Sequence, residues 1–120
     1  MMRVYDDYLF WKLLREAKMG KSEAYVETYL VKQTKRLGGK AIKLTCPGAA
    51  GIPDRLILLP GGRLCFCETK ALDQKARPLQ LYWHEQLRRL GFSVYVCDNR
   101  LKVDMMLSAE GGDFDEVHST

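Results

Sequence analysis

Two short apolar runs separated by Pro60-Gly61-Gly62 constrain this sequence more than any other feature. The runs, residues 56–59 and 64–67, are bounded by turn residues, which is typical of buried strands. Proline presets the φ angle for the second position of a type I turn, and a later glycine takes the left-handed position without a clash. This turn chemistry predicts a β-hairpin with a three-residue loop, in which Leu59 lies opposite Arg63.

The register of the hairpin decides where its charged residues lie. Counting outward from the loop places Asp54 opposite Glu68, and Lys70 falls on the face of Glu68 because side chains alternate along a strand. A two-residue loop would instead pair Asp54 with Thr69 and put the carboxylates on opposite faces. Turn chemistry favours the first register.

Two carboxylates and a lysine at neighbouring strand ends predict a metal-dependent site. Like charges at short range repel each other, and a divalent cation relieves that repulsion. Asp54, Glu68 and a backbone carbonyl offer the oxygen ligands that Mg²⁺ or Mn²⁺ prefers, and Lys70 is placed to orient an attacking water. The same spacing also fits turn residues beside a solvated ion pair, so spacing alone leaves both interpretations open.

A longer pattern resembles a known family. It consists of Gly51-Ile52-Pro53-Asp54-Arg55, then Glu68-Thr69-Lys70, then Pro78-Leu79-Gln80. It resembles the PD-(D/E)xK nucleases and, more narrowly, the virus-type replication-repair nuclease (VRR-NUC) domain of the stand-alone phage or bacterial type. The similarity runs from about Ser22 to about Leu107. It implies a restriction-endonuclease-like core and metal-dependent cleavage of DNA, with the Thr69 backbone carbonyl as a further metal ligand.

The resemblance also implies supporting residues. In similar nucleases a glutamate on the first helix of the fold reaches the metal, and matching residues 26–31 to that helix points to Glu27. Glu23 has a simpler explanation, since an acid in the first turn favours the helix dipole. Gln80 is predicted to hold a water or phosphate oxygen near a helix N-terminus. His84 is left out of the site, because a metal-activated water needs no histidine base. The predicted catalytic set is Asp54, Glu68, Lys70, Glu27 and Gln80, and the predicted metal ligands are Asp54, Glu68, Thr69 and Glu27. Glu27 and Gln80 also fit ordinary surface roles.

Hydrophobic periodicity predicts an α/β protein. The expected order is helix, helix, three strands, helix, strand, helix. The strand–helix–strand crossover over residues 64–97 requires a parallel neighbour in the sheet. We therefore expect a mixed sheet of about four strands with helices on both faces. Residues 1–21 are predicted to form an N-terminal helical extension, residues 22–107 the nuclease-like domain, and residues 108–120 an acidic, flexible tail.

The distribution of charge favours a polyanionic partner. The chain has 19 basic and 15 acidic residues, a formal net charge of +4. Four of the acids lie in the last eleven residues, so the body to Ala109 has 19 basic against 11 acidic residues, a net of +8. A basic body suits DNA, although ordinary solubility also explains it. The predicted phosphate contacts are Lys35, Arg36, Lys43, Arg55, Lys75 and Arg77, with Lys43 pointing toward the active face.

The predicted function is a Mg²⁺- or Mn²⁺-dependent DNA endonuclease. A small domain has little surface for reading base edges, so recognition of branched DNA is favoured over recognition of sequence. The resemblance implies a homodimer that cuts four-way junctions. Alternatives are a non-catalytic DNA-binding module and an accessory subunit of a phage replication or packaging complex. The sequence shows neither a signal peptide nor a transmembrane run, which predicts the cytoplasm of a bacterium or of a virus-infected host cell.

Overall fold

The computed structural model describes residues 8–11 and 22–111. Within these ranges the chain forms three helices and four strands, apart from one helical turn at residues 8–11. In chain order the elements are α1 (Glu23–Arg36), β1 (Lys40–Lys43), β2 (Arg55–Leu59), β3 (Arg63–Thr69), α2 (Pro78–Arg89), β4 (Val94–Cys97) and α3 (Arg100–Ala109). This is the predicted order for the described residues. Most of the expected N-terminal helix lies outside them.

The four strands form one mixed sheet in the order β1-β2-β3-β4. The first two pairings are antiparallel, and β3 pairs with β4 in parallel. Helix α2 makes the crossover between the parallel strands, as such a pair requires. The prediction of a mixed α/β sheet of four strands is confirmed.

The hairpin of β2 and β3 has the register that turn chemistry predicted. Leu59 pairs with Arg63 and Arg55 with Cys67, which continues to Asp54 beside Glu68. The turn type differs from the prediction, however. Gly61 has a φ of 85° in addition to the φ of 74° at Gly62. A left-handed residue directly after Pro60 is typical of a type II turn, whereas a type I turn needs a negative φ there.

Helices α1 and α3 cover one face of the sheet. Both helices contribute to a cluster with the inward side chains of β2, β3 and β4. The fully buried members of this cluster are Val26, Leu30, Ile57, Cys65, Cys67, Val103 and Leu107. Cysteine acts here as a small apolar side chain, and the three buried cysteines are free thiols. We call this side of the sheet the covered face.

The opposite face, which we call the open face, is covered only by α2 near β4. Side chains of alternating residues such as Ile42, Leu64 and Phe66 point to it, and 41% of Ile42 and 37% of Leu64 is exposed. Helix α2 buries only His84 and Leu87. Helices therefore lie on both faces as predicted, but unequally, and an apolar part of the sheet remains exposed.

Local sequence explains the ends of the helices. The Ser22 hydroxyl accepts a hydrogen bond from the backbone N–H of Tyr25 at 3.1 Å and caps α1. Pro78 occupies the first position of α2, where no backbone N–H is needed. Gly91, with a φ of 94°, follows the end of α2 in the left-handed conformation that favours glycine.

The folded body extends further than predicted at its C-terminal end. Helix α3 continues to Ala109, and the carboxylate of Glu110 accepts a hydrogen bond from the Tyr95 hydroxyl at 2.6 Å. Residues 108–110 therefore belong to the folded body and not to a flexible tail. Residues 112–120 lie outside the described part of the chain. None of the helices in residues 8–11 and 22–111 is long and apolar enough to cross a membrane.

Candidate active site

The ends of β2 and β3 bring together the carboxylates predicted from the sequence. Asp54 precedes the first residue of β2, and Glu68 lies next to the last residue of β3. Glu68 is 3% exposed, and its pKa is raised to about 8, first by burial and then by the charge of Asp54. The nearby Lys70 ammonium acts in the opposite direction and lowers this pKa. Two carboxylates thus share a largely buried space that disfavours their simultaneous ionisation.

Thr69 fixes the position of Asp54. Its backbone N–H donates to Asp54 Oδ1 at 3.0 Å, and its hydroxyl donates to Asp54 Oδ2 at 2.7 Å. Both oxygens of the carboxylate are therefore oriented by one fully buried residue. The sequence prediction gave Thr69 only a backbone carbonyl role and missed this contact, which depends on the close approach of the two strand ends.

The loop before Asp54 requires glycine at position 51. Its φ of 98° is left-handed, and a Cβ placed there would lie 2.8–2.9 Å from side-chain and backbone atoms of Leu79. Only glycine allows this approach of the loop to the first turn of α2. Pro53 is buried next to it. The Gly51-Ile52-Pro53 segment thus packs against α2 and leads directly into Asp54.

Lys70 is a buried cation on the carboxylate side. It is 3% exposed, its backbone N–H donates to the Cys97 carbonyl at 3.0 Å, and its charge acts on both Glu68 and His84. An ammonium group beside two carboxylates partly balances their charge. The structure therefore brings together Asp54, Glu68 and Lys70.

The α1 glutamate that the resemblance indicated, Glu27, is engaged by a residue of the sheet. Glu27 forms an ion pair with Arg55, whose other terminal nitrogen donates to the Ala41 carbonyl at 3.0 Å. Glu23, one turn earlier, is the α1 acid whose charge contributes to the raised pKa of Glu68. The ion pair engages Glu27, so Glu23 becomes a second candidate for the α1 acid at the site. Residues 23 and 27 lie one turn apart on the same side of α1, so their position along the helix axis, and not the helix rotation, separates them.

Two predicted phosphate contacts also lie on the covered side. The guanidinium of Arg55 is occupied by Glu27 and Ala41, and 14% of its side chain is exposed. Lys43 pairs with Arg55 in the sheet, so it shares that face and not the face of Glu68. The expectation that Lys43 points toward the active face is therefore wrong.

The other predicted basic residues divide into two groups. Lys75 and Arg77 are exposed in the loop that joins β3 to α2, directly after Lys70. Lys75 lines a cleft of about 550 Å³ together with Lys102. Lys35 and Arg36 lie in the last turn of α1, about 18 Å along the helix axis from Glu23 at 1.5 Å per residue. Lys75 and Arg77 follow the end of β3 that carries Glu68, whereas Lys35 and Arg36 lie at the far end of α1.

Gln80 has a structural partner. Its Oε1 accepts a hydrogen bond from the backbone N–H of Arg77 at 2.8 Å and so completes the N-terminal cap of α2. The oxygen is thus engaged, while the amide group of the same side chain supplies N–H donors. The contact fixes Gln80 at the edge of the loop that carries Lys75.

His84 lies at the site although the sequence interpretation left it out. It is 1% exposed, and its Nε2 lies 3.9 Å from Glu68 Oε1. Burial lowers the pKa of the imidazole, as do the charges of Arg88 and Lys70. The signal in the sequence was its position one helical turn after Gln80 and three residues before the buried Leu87.

The donor set at this position is compatible with a hard divalent cation. Residues 8–11 and 22–111 contain no group of three His, Cys, Asp or Glu side chains arranged to hold a metal. The cluster does have two adjacent carboxylates, and Glu68 Oε1 is buried with no hydrogen-bond partner among the described residues. Mg²⁺ commonly binds through one or two carboxylates and keeps several waters. The residues present fit such an ion.

No family model matches the sequence. The chain is similar to the "Putative nuclease p44" of Acyrthosiphon pisum secondary endosymbiont phage 1, with 42% identity over 78 residues that cover 65% of this chain and 84% of that protein. It also resembles a solved structure described as a VRR_NUC domain, with a TM-score of 0.67 and 36% identity, covering 72% of this chain and 94% of the other. Each likeness extends over most of the related protein.

Proposed function

The chain belongs to the VRR-NUC nuclease family, and we propose that it is a Mg²⁺- or Mn²⁺-dependent endonuclease that hydrolyses phosphodiester bonds in DNA. The observation that carries this proposal is the pairing of Asp54 with the buried Glu68 beside Lys70. Without a cation this arrangement is unfavourable, since burial first and the charge of Asp54 second raise the pKa of Glu68 to about 8. A site that tolerates this cost has a use for both carboxylates.

The proposed metal ligands are Asp54, Glu68 and the Thr69 backbone carbonyl. When bound, the ion supplies charge stabilisation at the phosphoryl group and lowers the pKa of water. The hydrogen bonds from Thr69 hold the Asp54 carboxylate in place before any ion arrives. Glu23 is proposed beside Glu27 as the additional acid, because its charge acts on Glu68 while Glu27 is engaged by Arg55.

Lys70 is proposed to orient the attacking water and to stabilise the negative charge that develops on the phosphate. Its burial next to Glu68 limits how far the ammonium can move, so little reorganisation is needed during the reaction. Gln80 is proposed to support this function through the N–H groups of its amide, since its oxygen caps α2.

The DNA backbone is proposed to approach along the loop between β3 and α2. Lys75 and Arg77 are exposed there, five and seven residues after Lys70. Lys35 and Arg36 at the far end of α1 are proposed as more distant phosphate contacts. Residues 1–109 contain 19 basic and 11 acidic residues, and their net charge of +8 suits this electrostatic attraction to DNA.

We also propose that the substrate is branched DNA and that the protein acts as a homodimer. The open face of the sheet offers support, since its apolar side chains are incompletely covered by α2. Ile42 and Leu64 are exposed on this face, Phe92 contacts Phe66 of the same face, and helix α2 exposes Leu79 and Tyr82. An exposed apolar surface of this kind is typical of an association surface. Two copies related by a dyad would present two active sites to the strands of a four-way junction. The cytoplasm of a bacterium or of a virus-infected cell is the proposed compartment.

A cleavage assay tests the proposal. Labelled four-way junction, flap, single-stranded and plain duplex DNA are incubated with the protein, with and without Mn²⁺. We expect Mn²⁺-dependent cutting that is fastest on the junction. Cutting of all substrates at one rate would remove the preference for branches but keep the nuclease. Binding without cutting in any metal would instead support the DNA-binding module or the accessory subunit.

A further inference from the structure

The imidazole of His84 is the most unusual buried group that the nuclease chemistry does not use. Both ring nitrogens are buried, and neither has a hydrogen-bond partner among the described residues. Buried polar groups are ordinarily paired, because an unpaired group loses its bonds to water without replacement. The imidazole is 1% exposed, so surrounding solvent does not satisfy it.

The only other described side chain near it with the same defect is Glu68. Its Oε1 is also buried without a hydrogen-bond partner in residues 8–11 and 22–111, and it lies 3.9 Å from His84 Nε2. A donor and an acceptor at this distance do not form a hydrogen bond, since N–H···O bonds have heavy-atom separations of about 2.7–3.2 Å. Closing the gap takes a movement of about 1 Å, which a small side-chain rotation supplies.

We propose that His84 is a positioning residue whose Nε2–H donates to Glu68 Oε1 and so holds that carboxylate in its metal-binding orientation. The inference rests on the proposed metal-dependent function. It also pairs with the role of Thr69, which holds the other carboxylate through two hydrogen bonds. Asp54 would then be fixed from β3, and Glu68 from α2.

A general-base role does not fit the same geometry. A base must reach the proton that it removes, directly or through one water. The imidazole is enclosed below α2 next to Leu87, which is also buried, so it faces the carboxylate and not the solvent. Donation to Glu68 needs no proton transfer, and both the neutral Nε2–H tautomer and the imidazolium provide it.

The proposal connects two parts of the fold. Helix α2 contacts the loop before Asp54 through the close approach of Gly51 to Leu79. The same helix places His84 Nε2 3.9 Å from Glu68 Oε1. Hydrogen-bond partners of metal-binding side chains fix ligand orientation, and their loss typically lowers metal affinity by about 10–100-fold. A change in the packing of α2 would therefore change the affinity of the site for the metal.

Three variants at this position separate donation from packing. The side-chain amide nitrogen of glutamine lies near the position of histidine Nε2, whereas that of asparagine lies near Nδ1. The amides are similar in chemistry and differ mainly in reach. His84→Ala removes the donor, His84→Gln keeps a donor toward Glu68, and His84→Asn places a donor too far from it.

The primary measurement is the Mn²⁺ dissociation constant of the full chain, obtained from the electron paramagnetic resonance signal of free Mn²⁺. We expect about a tenfold or greater increase for His84→Ala and His84→Asn, and a value within about threefold of the wild type for His84→Gln. Urea denaturation of each variant reports whether it is folded. Equal Mn²⁺ affinities for the two amide variants would overturn the proposal, as would failure of both to fold, since either result assigns His84 to packing.

A spectroscopic control distinguishes positioning from direct ligation. Electron spin-echo modulation of the Mn²⁺-bound protein detects a directly coordinated imidazole nitrogen. We expect no such nitrogen, because His84 bonds to the ligand and not to the ion, and its detection would overturn the proposal. If the wild-type protein binds no Mn²⁺ at all, the proposed metal-dependent function fails together with this inference. Wild-type Mn²⁺ binding with no effect of any His84 variant overturns the inference alone.

Discussion

Thr69→Val should destabilise the protein measurably, because it removes one hydrogen bond and changes little else. The Thr69 hydroxyl donates to Asp54 Oδ2 at 2.7 Å, and Thr69 is fully buried. Valine has nearly the same shape and is well tolerated in strands, and the backbone N–H bond to Asp54 Oδ1 remains. A hydrogen bond to a charged group contributes about 1.5–3 kcal/mol, so the free energy of unfolding should fall by that amount.

Urea denaturation is the assay for this change. With a slope of about 1–3 kcal/mol per molar urea, the loss should lower the midpoint by about 1 M. Thr69→Ser is the matched control, since it keeps the hydroxyl and loses one methyl group, at a cost of about 0.8 kcal/mol. In an Asp54→Asn background the effect of Thr69→Val should shrink. A Thr69→Val variant within about 0.5 kcal/mol of the wild type, or more stable than Thr69→Ser, would refute the role of this hydrogen bond.

Three further predictions concern individual charges. The pKa of Glu68 is raised to about 8 by burial and by Asp54, so between pH 4.5 and about 8 the folded state keeps a proton that the unfolded state releases. The free energy of unfolding that this proton contributes is fully present below pH 4.5 and is lost as the pH rises to about 8. Glu68→Gln should remove this part of the pH dependence of stability, measured by urea denaturation at several pH values without metal, and an unchanged profile would contradict the assignment. Lys70→Ala should lower the single-turnover cleavage rate by a factor of about 100 or more while leaving DNA affinity in Ca²⁺ nearly unchanged, and the opposite pattern would make Lys70 a phosphate contact. Glu23→Gln should weaken cleavage in Mn²⁺ more than Glu27→Gln, because Glu27 is engaged in an ion pair with Arg55 and its loss should mainly lower stability. A larger loss of cleavage for Glu27→Gln would favour Glu27 as the α1 acid at the metal.

The hairpin could be predicted from the sequence because its determinants are local. The dihedral preferences of proline and glycine select a three-residue loop, and the loop length sets the register that brings Asp54 beside Glu68. The predicted type I turn was wrong, because two consecutive glycines allow the left-handed conformation at either position or at both. The structure uses both, Gly61 and Gly62.

The choice between the two glutamates of α1 could not be predicted in the same way. Glu23 and Glu27 are four residues apart, so they lie near each other on the helix surface, and periodicity does not decide which one reaches the sheet end. The decision is made by Arg55, which projects from β2 to the covered face and pairs with Glu27. A long-range ion pair of this kind depends on the packing of α1 on the sheet.

The burial of His84 also follows from tertiary structure. In the sequence its spacing from Gln80 and Leu87 places it near one side of α2, but that spacing does not show that α2 encloses it against Glu68. The crossover of α2 between β3 and β4 creates that contact, because it puts the helix on the open face at the end of β3. Residues from three separate elements thus complete a site of which the motif residues form only the centre.

The most direct test of the proposed function compares the wild-type protein with Asp54→Asn and Glu68→Gln in single-turnover cleavage of a labelled four-way junction with Mn²⁺. Each substitution replaces one carboxylate by an amide of the same shape, and Lys70 and the basic loop remain. We predict that both variants lose cleavage, remain folded by urea denaturation, and bind the junction in Ca²⁺ within a few-fold of the wild type. Cleavage by either variant at the wild-type rate would contradict the assignment of these two carboxylates as the catalytic metal site.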